Sequence, residues 1–342
     1  MKVAHIGSNS VHVSRFIEAL NTHAVEQVLI AETPVDINFN IQTLLVDFHT
    51  FNPFTLLRNK RLATNFLKEF NPDIIHIHQV NRIAFWIALI AKKLNIPVVT
   101  TAWGSDVLLM PQKNWLYRYL VTKTLQNSKL VTADADVMLH AMQNLVPAGV
   151  RYEKIQYGID PVELTLNKEN IVYSNRLHKS LYRVDKIIEY FAEASAHDSN
   201  YQLIIAATGD ESEKLKNLVV DLNIENKVEF VGWVNAEQNR YWYSKAQFYV
   251  SIPSSDGTSV SLLEAISAGC IPIVSDLPAN LEWVKDGNTG IIEQPNENPI
   301  LKAFQSQFDN ALIENAQHVN KLASRSFTVP QFITFYHECI SC

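Results

Sequence analysis

Two carboxylates stand eight residues apart around a run of small residues. After a strand-like stretch over 248–252 comes Pro253-Ser254-Ser255-Asp256-Gly257-Thr258-Ser259, then a helix-like segment starting near Thr258 that carries Glu264. The spacing puts Glu264 about two turns down, on roughly the same face as the helix start. First-turn amides have no intrahelical partners, so Gly257, Thr258 and Ser259 are candidates to hold a phosphate. Two carboxylates flanking such donors can grip the hydroxyls of the same ligand. A plainer use also exists, with Asp256 as a helix cap and Glu264 as a solvated side chain.

This loop matters because of the elements that carry it. Strand-like runs over 3–6, 27–30, 43–46, 74–78, 98–102, 130–133 and 155–157 alternate with helix-like segments over 12–21, 58–70, 83–94 and 115–125. A polar stretch over 161–169 interrupts the pattern. A second round has strands over 171–174, 203–207, 228–231, 248–252 and 271–274, and helices over 185–194, 212–222, 236–246 and 260–268. Two further helices are expected over 299–323 and 330–340. Short apolar runs with helical crossovers indicate an α/β protein of two Rossmann-like, doubly wound parallel-sheet domains facing a central cleft. The expected division is 1–160, 161–325 and a terminal helix over 326–342 that packs back toward the first domain. Ligands of such sheets collect at the carboxyl ends of the strands, where the candidate loops lie.

Composition agrees with two cores. The chain has 342 residues, 47% hydrophobic and 19% charged, and a net charge of −6. Residues 1–160 hold 15 Lys+Arg against 12 Asp+Glu, and residues 161–342 hold 14 against 23, so the acidity sits in the second half. An acidic whole argues against a general nucleic-acid binder. Three cysteines, Cys270, Cys339 and Cys342, suit a reducing compartment. The opening residues read as a strand and turn, not a leader, and the longest apolar run, 83–91, is too short to span a bilayer. A cytoplasmic location is expected. Gly7 is the only glycine of the G-x-G-x-x-G pattern in the first loop, which speaks against a dinucleotide enzyme. It serves either as a plain turn or as a point of close approach to a ligand.

The segment Ser254-x-Asp256-Gly257-x-Ser259-x-x-Leu262-Leu263-Glu264-Ala265-x-x-Ala268-Gly269-x-x-Pro272-x-Val274 resembles the signature of family 4 (group 1) retaining glycosyltransferases, with Asp256 in place of the commoner first Glu. Ser174-Asn175-Arg176-Leu177, Gly209-Asp210, Gly232-Trp233-Val234, Asp286-Gly287-x-x-Gly290, Gly104-Ser105-Asp106 and Gly158-Ile159-Asp160 have counterparts in the same order. The resemblance implies a GT-B enzyme moving a sugar from a nucleotide diphosphate, most simply UDP, to a glycan or lipid-linked acceptor. It needs no metal or further cofactor, and no nucleic acid partner.

By the same resemblance Arg176 and a second base stabilise the departing diphosphate, Asp256 holds donor hydroxyls and Glu264 the ribose. Asp106 belongs to the catalytic set, and Gly7, Gly209, Gly232, Trp233, Gly257, Thr258 and Ser259 to the donor site. The family's Lys–Gly pair is replaced by Tyr182-Arg183, which leaves Lys179 and Arg183 as substitutes for the lysine. Trp103 stands where the family often has His. Alternatives with the same outline are a sugar-nucleotide 2-epimerase and a non-catalytic nucleotide-sugar-binding partner.

Three other features stand apart. Asp134-Ala135-Asp136 has a metal-binding form, but helix capping by Asp136 explains it. His76 and His78 share one side of a strand and lack a third ligand at matching spacing, so polar packing is expected. Residues 51–70 and 108–129 mix Arg58, Lys60, Arg61, Lys68, Lys113, Arg118, Lys123 and Lys129 with aromatic and aliphatic side chains. Such stretches rest on anionic lipid or are solvated helix faces. The first use would place the protein at the inner face of a membrane.

Overall fold

The computed structural model describes residues 1–308 and 311–341; Cys342 lies outside them. These residues form two compact units, one of residues 1–158 with the chain from Arg325 onward, the other Ile159–Ser324. The doubly wound α/β class expected from the strand–helix alternation is the one observed.

The first unit is a seven-stranded parallel sheet of β1 (Lys2–Gly7), β2 (Glu26–Ala31), β3 (Gln42–Leu45), β4 (Ile74–His78), β5 (Val98–Thr101), β6 (Leu130–Ala133) and β7 (Arg151–Lys154), ordered β3-β2-β1-β4-β5-β6-β7. The last strand lies earlier than the 155–157 expected; Arg151–Lys154 pairs along β6 and the more apolar residues follow it. One face is covered by α2 (Pro53–Phe70) and α3 (Arg82–Leu94) through Ala63, Leu67, Ile83 and Ile87. On the other, Phe16 and Leu20 of α1 (Val11–Leu20) meet Phe332 and Tyr336 of the terminal helix α15 (Arg325–Ser341). After β5 come α4 (Ser105–Leu108), α5 (Met110–Lys113) and α6 (Trp115–Gln126), and after β6 comes α7 (Asp136–Leu145).

Local chemistry sets the helix ends. Asn52, Asn81 and Asn114 cap α2, α3 and α6, and α2 starts at Pro53, earlier than position 58, because Pro is suited to a first turn. Left-handed positions go to Asn71, Asn95, Asn223 and Asn296 in this glycine-poor chain. Asp136 does not cap α7. It is the first helical residue and pairs with Lys154 at 2.6 Å, while Ala135 occupies the cap. The terminal helix begins at Arg325 and runs through Pro330. An interior proline costs a helix about 3 kcal/mol; burial of Val329, Phe332 and Tyr336 offsets it here.

The second unit is a six-stranded parallel sheet of β8 (Glu169–Ser174), β9 (Gln202–Ala206), β10 (Val228–Gly232), β11 (Ala246–Ser251), β12 (Ile271–Ser275) and β13 (Ile291–Glu293), ordered β10-β9-β8-β11-β12-β13. α8 (Val184–His197), α9 (Ser212–Asp221) and α13 (Pro299–Gln305) cover one face; α10 (Ala236–Lys245), α11 (Val260–Ser267) and α14 (Ala311–Ala323) cover the other. The single helix expected over 299–323 is two helices. Ser306 turns extended and its hydroxyl donates to the Lys302 carbonyl, which ends α13. A four-residue helix, α12 (Pro278–Leu281), follows β12. The sheet reverses its winding at β8, whose neighbours are β9 and β11, so the crevice at the carboxyl ends of β8 and β11 is the place for a ligand in this unit.

Candidate active site

Arg176 leaves the end of β8 and meets the loop after β11. Its guanidinium donates to Asp256 at 2.5 Å and to the Ser259 hydroxyl at 2.5 Å, and lies over the Tyr182 ring at 4.3 Å. Burial works against its charge, but Asp256 beside it leaves the pKa above the ordinary arginine value. Asp256, Ser259 and Tyr249 are its side-chain partners, and a guanidinium carries five N–H donors, so the fork retains donors for a further anion.

The residue before it is immobilised. Asn175 donates to Asn239 at 3.0 Å and to the Tyr243 hydroxyl at 2.8 Å, and accepts from the Tyr249 hydroxyl at 2.9 Å. Glu264 is near this group: burial first, then the charge of Glu264, hold the Tyr243 phenol well above its usual range. Asn175, Tyr243, Tyr249 and Tyr182 therefore support the Arg176 loop. Nothing local in the sequence marks Tyr243 and Tyr249, while Asn175 lies in the matched motif Ser174-Asn175-Arg176-Leu177 and Tyr182 stands in the family's lysine position.

The loop before α11 is tighter than the sequence implies. The helix starts at Val260, the first residue of the span expected over 260–268, with Ser259 as its cap residue. Gly257, Thr258 and Ser259 are buried, and Thr258 accepts weakly from the Trp283 indole at 3.4 Å. Asp256 is occupied by Arg176 and by the Gly257 amide, at 3.1 Å.

Of the two bases near Arg176, Arg183 is committed. It makes a bidentate pair with Glu293 at the end of β13, both contacts at 2.8 Å, and Tyr190 adds a third contact to that carboxylate at 3.0 Å. It also takes φ of 53°, the left-handed conformation that the family's glycine would adopt without strain. Lys179 is exposed, with no side-chain hydrogen bond or ion pair among the described residues. Gly209 is fixed by packing, because an added Cβ would lie 2.4 Å from the His178 carbonyl oxygen. Gly232 takes φ of 69° and Trp233 beside it is 65% exposed.

In the first unit Gly7 is required by packing: a Cβ there would meet Val13 at 2.8 Å. Asp106 is buried and accepts from the backbone amides of Val80 at 2.8 Å and Trp103 at 3.0 Å. Burial pushes its carboxyl up to about 6 against those amides, so it ties together the loops after β4 and β5. Trp103 packs edge-on to His12 and Tyr157.

The third histidine that spacing did not supply comes from a neighbouring strand. β1 pairs β4 with His5 opposite His76, which brings His5, His76 and His78 together, all fully buried. Their ring nitrogens lie within 4.8 Å of one another, in range of a single metal ion. Each nitrogen is already engaged. Gln27 donates to Ile17 and accepts from His5 Nε2 at 2.9 Å; His5 Nδ1 then accepts from His78 Nε2 at 2.9 Å, and His78 Nδ1 from Tyr157 at 2.6 Å. His76 lies between Tyr336 at 2.6 Å and Thr101 at 2.7 Å. The cluster is a satisfied polar network that fastens the terminal helix to the sheet.

Residues 159–323 match the family described as glycosyl transferases group 1, and residues 2–135 match glycosyl transferase 4-like. The chain belongs to the group 1, family 4 glycosyltransferases. Among its curated relatives is a GDP-mannose:cellobiosyl-diphosphopolyprenol alpha-mannosyltransferase of Xanthomonas oryzae, 25% identical over 64% of this chain and 60% of that protein. The chain thus matches about three fifths of that relative's length. Another is an N-acetylgalactosamine-N,N'-diacetylbacillosaminyl-diphospho-undecaprenol 4-alpha-N-acetylgalactosaminyltransferase of Campylobacter jejuni, 22% identical over 80% of this chain and 76% of that protein. Among solved structures, Anabaena HepE in complex with UDP and glucose superposes with a TM-score of 0.81, at 14% identity, over 99% of this chain and all of that one. At that identity the likeness concerns the GT-B fold, which is the class of this chain.

Proposed function

We propose that the protein is a retaining glycosyltransferase that moves a sugar from a UDP-linked donor to the hydroxyl of a glycan or lipid-linked acceptor in surface-glycan or glycolipid assembly. The observation that carries this reading is the joining of Arg176, Asp256 and Ser259 at the crevice between β8 and β11. The remaining donors of Arg176, the Lys179 ammonium and the amides of residues 257–259 would meet charge developing on the leaving diphosphate. Fixed donors aimed at such charge are worth about 3–4 kcal/mol each. Asp256 would orient donor hydroxyls while holding Arg176, and Glu264 would take the ribose. Attack on the leaving-group face needs no dedicated protein base, the diphosphate oxygen itself receiving the proton of the acceptor hydroxyl. The diphosphopolyprenol relatives favour a lipid-linked acceptor at the cytoplasmic face of a membrane.

The test is incubation with UDP- and GDP-sugars, with and without polyprenyl-diphosphate sugars, following the anomer of the product by NMR. Transfer from a UDP-sugar with the donor's anomeric configuration kept is expected. An inverted product overturns retention, GDP-sugar use overturns UDP, and binding without turnover on any acceptor makes the chain a binding partner.

A further inference from the structure

Three neighbouring helices of the first unit carry exposed basic and aromatic side chains. In α2 the outward positions Phe54, Leu57, Arg58, Arg61 and Leu62 follow helical spacing, so a face that elsewhere would be purely polar carries exposed apolar groups. Phe51 and Phe54 are 89% and 82% exposed, and Trp115 at the start of α6 is 78% exposed, with Leu116 and Tyr119 beside it. Single exposed aromatics are ordinary; two groups joined by a third element are not.

The first turn of α3 joins them. Arg82 lies over the Phe51 ring at 4.8 Å, and Lys60 of α2 lies over Trp86 at 4.4 Å. On the other side Phe85 packs against Tyr119 at 6.0 Å. The N-terminal ends of α2, α3 and α6 are therefore neighbours. The three helices carry nine Lys and Arg and a single acid, Glu69, in a chain whose net charge is −6.

We propose that this surface is where the protein docks on an anionic lipid bilayer. Phe51, Phe54 and Trp115 enter the headgroup boundary while Arg58, Arg61 and Arg118 meet lipid phosphates. Charge complementarity selects the occupant, because a basic field in which nine Lys and Arg face one acid around aromatic anchors is what an anionic leaflet attracts. The docking extends the function proposed above by fixing where a lipid-linked acceptor is met, and its test does not use turnover.

The full chain is sedimented with phosphatidylglycerol vesicles and with phosphatidylcholine vesicles at low and high salt. Binding to the anionic vesicles alone, weakening with salt, is expected. Arg58→Gln with Arg61→Gln and Arg118→Gln should lower the partition coefficient about a hundredfold, from roughly a fivefold loss per base. Phe54→Ser with Trp115→Ser should lower it about tenfold or more. UDP affinity of both variants, measured in solution, should equal wild type, which separates failure of docking from failure of the donor site. Equal binding to both lipids, no binding, or unchanged binding by both variants overturns the proposal. So does a concentration-dependent dimer abolished by the same substitutions, which would make the surface a contact between copies.

Discussion

Asp256 is the carboxylate that Arg176 holds at 2.5 Å, and both side chains are largely shielded from water. An arginine meant for a diphosphate is thus aimed by the same acid that is expected to orient donor hydroxyls. Arg176→Ala should lower kcat/KM by about 10²–10³ through lost transition-state stabilisation. Asp256→Asn should lower kcat by more than it weakens UDP binding, and the double variant should lose much less than the product of the two effects. Titration calorimetry with steady-state kinetics checks this; simple multiplicativity would show that the pair does not act as a unit.

Lys179 and Arg183 should separate cleanly. Arg183→Ala leaves Glu293, only 11% exposed, without its bidentate partner, and should cost about 2–4 kcal/mol of stability. Lys179→Ala removes an exposed side chain and should leave stability within about 0.5 kcal/mol while turnover falls at least tenfold. Urea unfolding beside turnover reads both. A destabilised Lys179→Ala or a fully stable Arg183→Ala would reverse the assignment.

Acid should unfold the first unit early. Burial lowers His5 to about 4, and burial together with the neighbouring imidazoles lowers His76 and His78 well below the ordinary value of 6.5. The unfolded chain then binds more protons than the folded one below about pH 6.5, so stability present above that pH falls as pH drops toward 4. Asp106, raised to about 6, works in the opposite direction by one proton. Unfolding free energies measured at several pH values should decline below pH 6.5, and His5→Gln should make the decline shallower.

Gly209→Ala should injure the donor site from behind. Its Cβ would press on the His178 backbone, two residues from Arg176, so a loss of about 2–4 kcal/mol and weaker UDP binding are expected together. Wild-type values for both would mean that this loop yields at little cost. Gly232→Ala offers a comparison, with open space around its Cβ and only the positive φ against it.

The strand–helix alternation, the loops that follow strands, and the segment from Ser254 to Val274 were legible in the chain. These are short-range signals: apolar period, cap and turn chemistry, and contiguous residues whose spacing is fixed once an element forms. The polar residues after 160 announce a change of unit, whereas the helix that Asn52 caps at Pro53 was expected to start only at 58. The tertiary structure decided what no local period encodes. His5 meets His76 only through the β1–β4 register, 71 residues away in sequence, and Arg183 finds Glu293 across 110 residues. Arg176 is aimed by Asp256 from 80 residues on, and the terminal helix reaches His76 through Tyr336 across 260. Each partner is one of several chemically equivalent side chains in the sequence. The choice among them is made by which strands lie side by side and which burial leaves a polar group no other partner.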